Sequence, residues 1–145
     1  MNAIIVYYTF GGSTQKEAQR LSKELGAPLC RVREKHRRGL LGSFFSVPAA
    51  IGRRASAIQP LGVDLQAYDR IIVGCPIWAG HPAPAFNAIV NLLPAGKEVD
   101  LFFCSAGGES KESREGTIQL IEQKGCSVIG YRDVPTGQKP SKMQE

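Results

Sequence analysis

Residues Ala3 to Tyr8 form an unbroken apolar run, Ala-Ile-Ile-Val-Tyr-Tyr, and the polar turn Thr9-Phe-Gly-Gly-Ser-Thr14 follows it at once. A strand with one wet face alternates apolar and polar residues. A run apolar throughout, rich in β-branched and aromatic side chains, predicts a strand covered on both faces. After the turn Ala18, Leu21 and Leu25 recur at i, i+3 and i+7, one face of a helix, and Gly26 supplies a stop. The opening unit is therefore strand, glycine-rich turn, helix.

The unit recurs. Pro28 to Val32 predicts a short second strand. Ile71 to Cys75 predicts a third, with Pro76 to Pro82 as its exit loop. Phe86, Ile89, Val90 and Leu93 then mark a helix ended by Pro94 and Gly96. Val99 to Cys104 predicts a fourth strand with exit loop Ser105 to Glu109. Ser110 is an N-cap candidate for a helix reaching about Lys124, and Cys126 to Tyr131 predicts a fifth strand. Buried strands separated by helices imply an α/β fold, a doubly wound five-stranded parallel sheet, for which right-handed crossovers favour the order 2-1-3-4-5. Ligands of such sheets bind beyond the C-terminal strand ends, near the strand-order reversal, here strands 1 and 3. Thr9 to Thr14, Pro76 to Pro82 and Ser105 to Glu109 leave those ends and are expected to converge.

At 145 residues and 43% hydrophobic the chain suits one domain with a real core, not a disordered or fibrous chain. The core domain is expected over 1–133, with 35–67 a basic, partly mobile insert in place of the second helix and 134–145 a polar tail. That tail is short and twice interrupted by proline, so the C-terminal helix of a doubly wound sheet is expected to be missing. A second copy of the chain, as in a homodimer, or the folded-back tail would then cover the sheet face left open. The uncharged stretch Leu40 to Gly52 is too short to span a bilayer, and Ile4 to Tyr8 lacks the basic flank of a signal peptide. Cys30, Cys75, Cys104 and Cys126 show no C-x-x-C pair or metal spacing with His36 or His81, so no metal site is expected. They read as buried, reduced thiols of a cytoplasmic protein.

The net charge of +5 has one source. Between Arg31 and Arg54 seven basic residues face Glu34 alone, a net of +6, which leaves −1 for the rest. Any argument about a polyanionic partner belongs to that segment.

Thr9, Ser13 and Thr14 put three hydroxyls around two glycines where a helix begins. Free N–H groups and the positive dipole end there suit a phosphate, although Ser13 as a simple N-cap and two turn glycines account for the residues equally well. The loop lacks G-x-x-x-x-G-K-[ST] and G-x-G-x-x-G, which excludes a nucleotide P-loop and a dinucleotide fingerprint. Cys30, Cys75 and Cys104 meet His36, His81 and Ser110 six positions on, against a cysteine phosphatase loop at any of them; Cys126 does precede Arg132 by six, but there the spacing falls along the predicted fifth strand rather than a strand-to-helix loop. The strand ends lack the acidic cluster of a phospho-acceptor domain. Trp78, the only tryptophan, sits at the ligand edge, where it offers a flat wall for a planar ligand or packs into the neighbouring helix.

The run Ile5 to Thr14 resembles the phosphate loop of flavodoxins, a strand followed by Ser/Thr-x-Thr-Gly-Asn-Thr. Tyr68 to Gly80, with Pro82 and Pro84 following, looks like that family's third strand and flavin loop. Phe102 to Gly108 is similar to its fourth strand and second flavin loop. The resemblance implies FMN bound non-covalently and an oxidoreductase or electron-transfer role. Thr9, Phe10, Gly11, Gly12, Ser13 and Thr14 would hold the phosphate. Pro76, Ile77, Trp78, Ala79 and Gly80 would line the ring with Trp78 stacking, and Ser105, Ala106, Gly107 and Gly108 would meet its pyrimidine edge. The protein would tune the flavin through stacking, hydrogen bonding near N5 and charge near N1. Gly11 stands for the usual Thr and Ser13 for the usual Asn. Electron-carrier flavodoxins are acidic, and a basic neighbourhood favours negative charge on the reduced flavin, which raises its potential.

Lys35 to Arg54 admits three readings. It is a helix packing Leu40, Leu41, Phe44 and Phe45 on the sheet, a mobile lid admitting NAD(P)H, a quinone or a redox protein, or an anionic-membrane contact through Arg37, Arg38, Arg53 and Arg54. No RNA- or DNA-reading motif accompanies the charge, so nucleic acid is not expected. A fold that has lost FMN and docks a protein or membrane through this segment is the competing function. His81 as a proton relay and Cys75 as a redox partner are each matched by bland readings, a solvated loop histidine and a packed thiol, and no catalytic residue is assigned.

Overall fold

In the computed structural model, residues 2–36, 47–107 and 109–136 are described. The elements are β1 (Ala3–Tyr7), α1 (Ser13–Leu25), β2 (Leu29–Arg31), α2 (Val47–Ile51), β3 (Arg70–Trp78), β4 (His81–Pro82), α3 (Pro84–Asn91), β5 (Glu98–Ser105), α4 (Arg114–Gln123) and β6 (Ser127–Pro135). Short 3-10 turns cover Leu65–Ala67 and Lys111–Ser113. The main sheet runs β2-β1-β3-β5-β6 with every neighbouring pair parallel, which is the expected 2-1-3-4-5 arrangement. The two-residue β4 is an addition, antiparallel to the end of β3.

Each sheet face has its own core. On one, Val6, Val73, Leu101 and Phe103 meet Phe86 and Ile89 of α3 and Ile121 of α4. On the other, Ile5, Tyr7, Ile72 and Phe102 meet Ala18 and Leu21 of α1. The apolar runs are continuous because both faces of the central strands are buried. Gly74 is required where it stands. A Cβ there would fall inside the 3.0 Å that real Cβ atoms avoid, against the ring of Phe102.

Beyond α1 the second face is closed by charge. Arg132 lies 5.9 Å over the Phe102 ring and pairs with Glu17 at 3.0 Å, while Arg70 pairs with Asp100 at 2.5 Å. Phe102 itself is only 1% exposed. The fifth strand, β6, also reaches Pro135 rather than Tyr131, which draws Val134 into the second core. Residues 137–145 of the tail lie outside the described residues.

Candidate functional site

The register sets the three expected loops side by side. Tyr7 is level with Gly74, Gly74 with Phe102, and Pro76 with Cys104, and the Tyr8 N–H donates to the Gly74 carbonyl at 3.0 Å. Thr9, Pro76 and Ser105 therefore emerge at the same end of the sheet.

The first loop is a left-handed turn onto α1. Gly12 holds φ at 104°, a region closed to other residues, and is itself the N-cap. The simple reading of Ser13 as N-cap is thereby corrected: Gly12 is the N-cap and Ser13 the first helical residue. The Gly12 N–H is taken by Thr9 Oγ1 at 3.0 Å, and Lys16 is the first to close onto Gly12 O, at 3.0 Å. The N–H groups of Ser13, Thr14 and Gln15 are the orphans of the helix start. No acidic residue sits in this first turn, so the positive end of α1 is not neutralised. A Cβ at Gly11 or Gly12 would meet nothing within 4 Å, so the space over the turn is open. The three hydroxyls do not all face it. Thr9 closes the turn, and Thr14 is 1% exposed, buried beneath it. Ser13, half-buried, is the one left at the rim.

The second loop differs from expectation. Pro76 to Pro82 is not irregular: β3 runs on through Trp78 and folds back as a hairpin, with Ile77 opposite Pro82 and Trp78 opposite His81. The turn residues Ala79 and Gly80 have φ of 51° and 82°, the sign pattern of a type I′ turn. Ala79 is strained there, which fixes the tip in one shape. Trp78 meets Phe10 at a ring separation of 5.7 Å and 87°, and Tyr8 at 6.4 Å and 79°. Both contacts are edge to face, so the indole is held upright between the first two loops. Tyr8 was not among the expected site residues. Its spacing of two from Phe10, which puts both on one side of an extended segment, is the signal that marks it.

The third loop begins later than expected, because Ser105 is the last residue of β5, opposite Pro135. Ala106 and Gly107 are exposed at the sheet end, and Gly108 lies outside the described residues.

The thiols play no part in this chemistry. All four are free and buried. Burial pushes the Cys75 thiol far up, against the pull of the Ala83 and Phe86 N–H groups, and burial likewise raises Cys104 against the Thr14 hydroxyl. Neither carries thiolate at neutral pH. His81 Nδ1 faces the Ala79 carbonyl at 3.3 Å, a contact within the hairpin. Among the described residues there is no metal-holding cluster, and no helix is long and apolar enough to cross a membrane.

A cavity of about 460 Å³ opens on the β2 side of this mouth and shares Thr9 and Phe10 with it. Tyr8 and Phe10 form its inner wall, and Arg31, Arg33 and Lys35 its rim. Of the basic segment, Arg37, Arg38, Leu40, Leu41, Phe44 and Phe45 lie outside the described residues. Arg53 turns inward: it donates to Thr117 Oγ1 at 3.0 Å and to the Ser113 carbonyl at 2.9 Å.

A five-stranded 2-1-3-4-5 sheet with three loops gathered at its switch point is the flavodoxin-like fold. Among proteins of this fold, the chain's likeness runs to flavoproteins. A flavoprotein from Lactobacillus acidophilus NCFM, crystallised in complex with FMN, is 26% identical, with a TM-score of 0.74 over 90% of this chain and 91% of that one. The apo-form NMR structure of the flavoprotein from the same organism is 25% identical, with a TM-score of 0.71 over 99% and 97%. Oxidised flavodoxin 1 from Bacillus cereus shares the fold at 16% identity, with a TM-score of 0.51 over 92% and 86%. No protein-family model and no curated protein sequence matches the chain.

Proposed function

We propose that this chain binds FMN non-covalently at the three-loop mouth and works as an oxidoreductase or electron-transfer protein in a reducing compartment such as the cytoplasm. The observation that carries the reading is the joining of the loops: Phe10 packs on Trp78, and Pro76 lies level with Cys104, so turn, hairpin and the end of β5 form one rim. The donor set fits the cofactor's phosphate. The orphan N–H groups of Ser13, Thr14 and Gln15, the uncompensated end of α1 and the open space over Gly11 and Gly12 make an anion cradle. The Trp78 indole supplies an apolar wall one loop away, and Ser105 to Gly107 close the far edge. The 26% identical Lactobacillus flavoprotein, which was crystallised with FMN, supports the same assignment. The four reduced thiols support the compartment.

When bound, FMN supplies one- or two-electron chemistry. The chain's own residues position it and exclude water: Trp78 shields one side, and the rigid Ala79-Gly80 tip presents backbone groups at the rim. The basic character of the neighbourhood favours negative charge on the reduced cofactor, which supports a potential above that of the acidic carriers.

The visible spectrum tests the reading directly. The purified protein, or apo-protein titrated with FMN, is expected to be yellow and to bind FMN stoichiometrically. Trp78→Ala is expected to weaken binding about tenfold, the scale of one aromatic contact plus the apolar area it covers. A colourless protein that takes up no FMN at millimolar concentration would return the chain to the competing role, a flavodoxin-like docking module.

A further inference from the structure

The cavity beside the mouth has a charge pattern that the flavin reading does not use. From Arg31 the chain stays extended past the end of β2: Val32 N–H donates to Tyr7 O at 2.7 Å, Gln59 N–H to Arg33 O at 2.8 Å, and Lys35 N–H to Ala57 O at 2.9 Å. Alternation in this extended stretch buries Val32 and half-buries Glu34 while it exposes Arg31, Arg33 and Lys35. Three cations at i, i+2 and i+4 stand in a row about 7 Å apart on one side of the backbone. Among the described residues none of the three has an acidic partner. Glu34, the carboxylate within the row, accepts from the Tyr8 hydroxyl at 2.9 Å.

Like charges in a row repel, and this row lines a concave space of about 460 Å³ that Glu34 also lines, so three cations there are set against one carboxylate. The opposite wall is aromatic and is shared with the mouth, since Tyr8 and Phe10 line the cavity and also hold Trp78. A ligand seated here has its anionic groups on the cations and its body one aromatic layer from the cofactor position.

Resting on the flavin assignment for its place in the reaction, but on Arg31, Arg33 and Lys35 for its chemistry, we infer that the cavity is an anion subsite. It holds the phosphate groups of a small, phosphate-bearing co-substrate, a reduced nicotinamide dinucleotide being the size and charge it suits. Arginine contributes two of the three contacts, in keeping with forked recognition of phosphate oxygens.

Calorimetric titration of the FMN-loaded protein with inorganic pyrophosphate and with NADPH tests this. Both are expected to bind, with affinity falling steeply between low and physiological salt. The double variant Arg31→Glu/Arg33→Glu is expected to lose tenfold or more in affinity for both probes and to keep its FMN affinity. The milder Arg31→Gln/Lys35→Gln, checked for an unchanged unfolding midpoint, should lose part of it. Absence of binding by both probes at millimolar concentration and low salt, or binding indifferent to the charge reversal, overturns the proposal. So does binding to anionic phosphatidylserine vesicles without competition from pyrophosphate, which would make the row a lipid contact. Failure of FMN to bind, with pyrophosphate still held by the apo-protein, would sink the flavin assignment and leave this subsite standing.

Discussion

Gly74 sits at the centre of the sheet, two residues before the hairpin that carries Trp78, and Gly74→Ala measures how tightly that hairpin is tied to the core. Elsewhere in a strand, alanine in place of glycine gains roughly 0.5–1 kcal/mol from the unfolded chain. Here the new methyl would enter the Phe102 ring, well inside 3.0 Å of its atoms, and the ring is 1% exposed under Arg132 with nowhere to go. Overpacking of this kind costs about 1–3 kcal/mol, and a clash with three ring atoms at once places it near the upper end, so after the gain from the unfolded chain the net loss is about 2 kcal/mol. With a urea m-value of about 2 kcal/mol/M the midpoint drops about 1 M, and the melting temperature falls about 4–8 °C. The strain is local to the site, because Gly74 O is the acceptor for Tyr8 N–H. FMN affinity is therefore expected to fall with stability. Phe102→Leu should cost about 1 kcal/mol alone yet rescue Gly74→Ala, a coupling of opposite sign to the single effects. A Gly74→Ala protein as stable as the parent, or a double variant whose losses simply add, would refute the assignment of this contact.

Ser110→Ala is expected to cost about 1–3 kcal/mol in urea unfolding, because the 1% exposed Ser110 hydroxyl bonds the Tyr131 hydroxyl at 2.5 Å and Asp133 Oδ1 at 2.6 Å, and its removal orphans both. Gly116→Ala places a methyl 3.0 Å from the Arg53 guanidinium, so the usual helical gain of alanine over glycine, about 1 kcal/mol, should be absent or reversed; a gain of the full amount would show that Arg53 does not dock there. Hydrogen bonds from Arg20, with a smaller contribution from Arg132, hold the Glu17 carboxyl below its ordinary 4.5 against the opposing effect of burial. Its folded pKa is depressed, so its contribution is present above the unfolded value and lost as pH falls through the folded one. Glu17→Gln should flatten the acid limb of stability below about pH 4.5, and an unchanged limb would contradict the pairing. None of the four buried thiols should react with a disulfide reagent at pH 8 until urea unfolds the chain, and one fast-reacting thiol would break that expectation.

Much of the fold is legible because parallel strands buried on both faces leave continuous runs such as Ile71 to Cys75, which few other structures require. What escaped depends on contacts distant in sequence or on unusual backbone. Pro76 and Gly80 read as loop formers, yet proline is tolerated at the strand's end and Gly80 serves a tight hairpin whose other turn residue, Ala79, is strained into positive φ. Ser13 has the chemistry of an N-cap, but Gly12 alone can take the φ of 104° that the turn demands. Ser110 too has cap chemistry. Its real partners are 21 and 23 residues away on β6, and no local pattern announces them. The site was legible as three loops because strand order follows from topology; the edge-to-face setting of Trp78 was not, since it depends on where Tyr8 and Phe10 point.

The basic segment that dominates the charge of the chain is not one surface. Arg53 takes a left-handed φ of 55° and sends its guanidinium to Thr117, which is fully buried, and to the Ser113 carbonyl. It acts as a strut between the end of α2 and the start of α4, and burial pulls its pKa down. Arg31, Arg33 and Lys35 do the reverse, since their backbone is pinned and their charge is turned out to a cavity. A strut is insensitive to salt and matters to folding. A row of unneutralised cations is salt-sensitive and matters to binding. Losses of stability at Arg53 and of anion affinity at Arg31 and Arg33 should therefore separate cleanly.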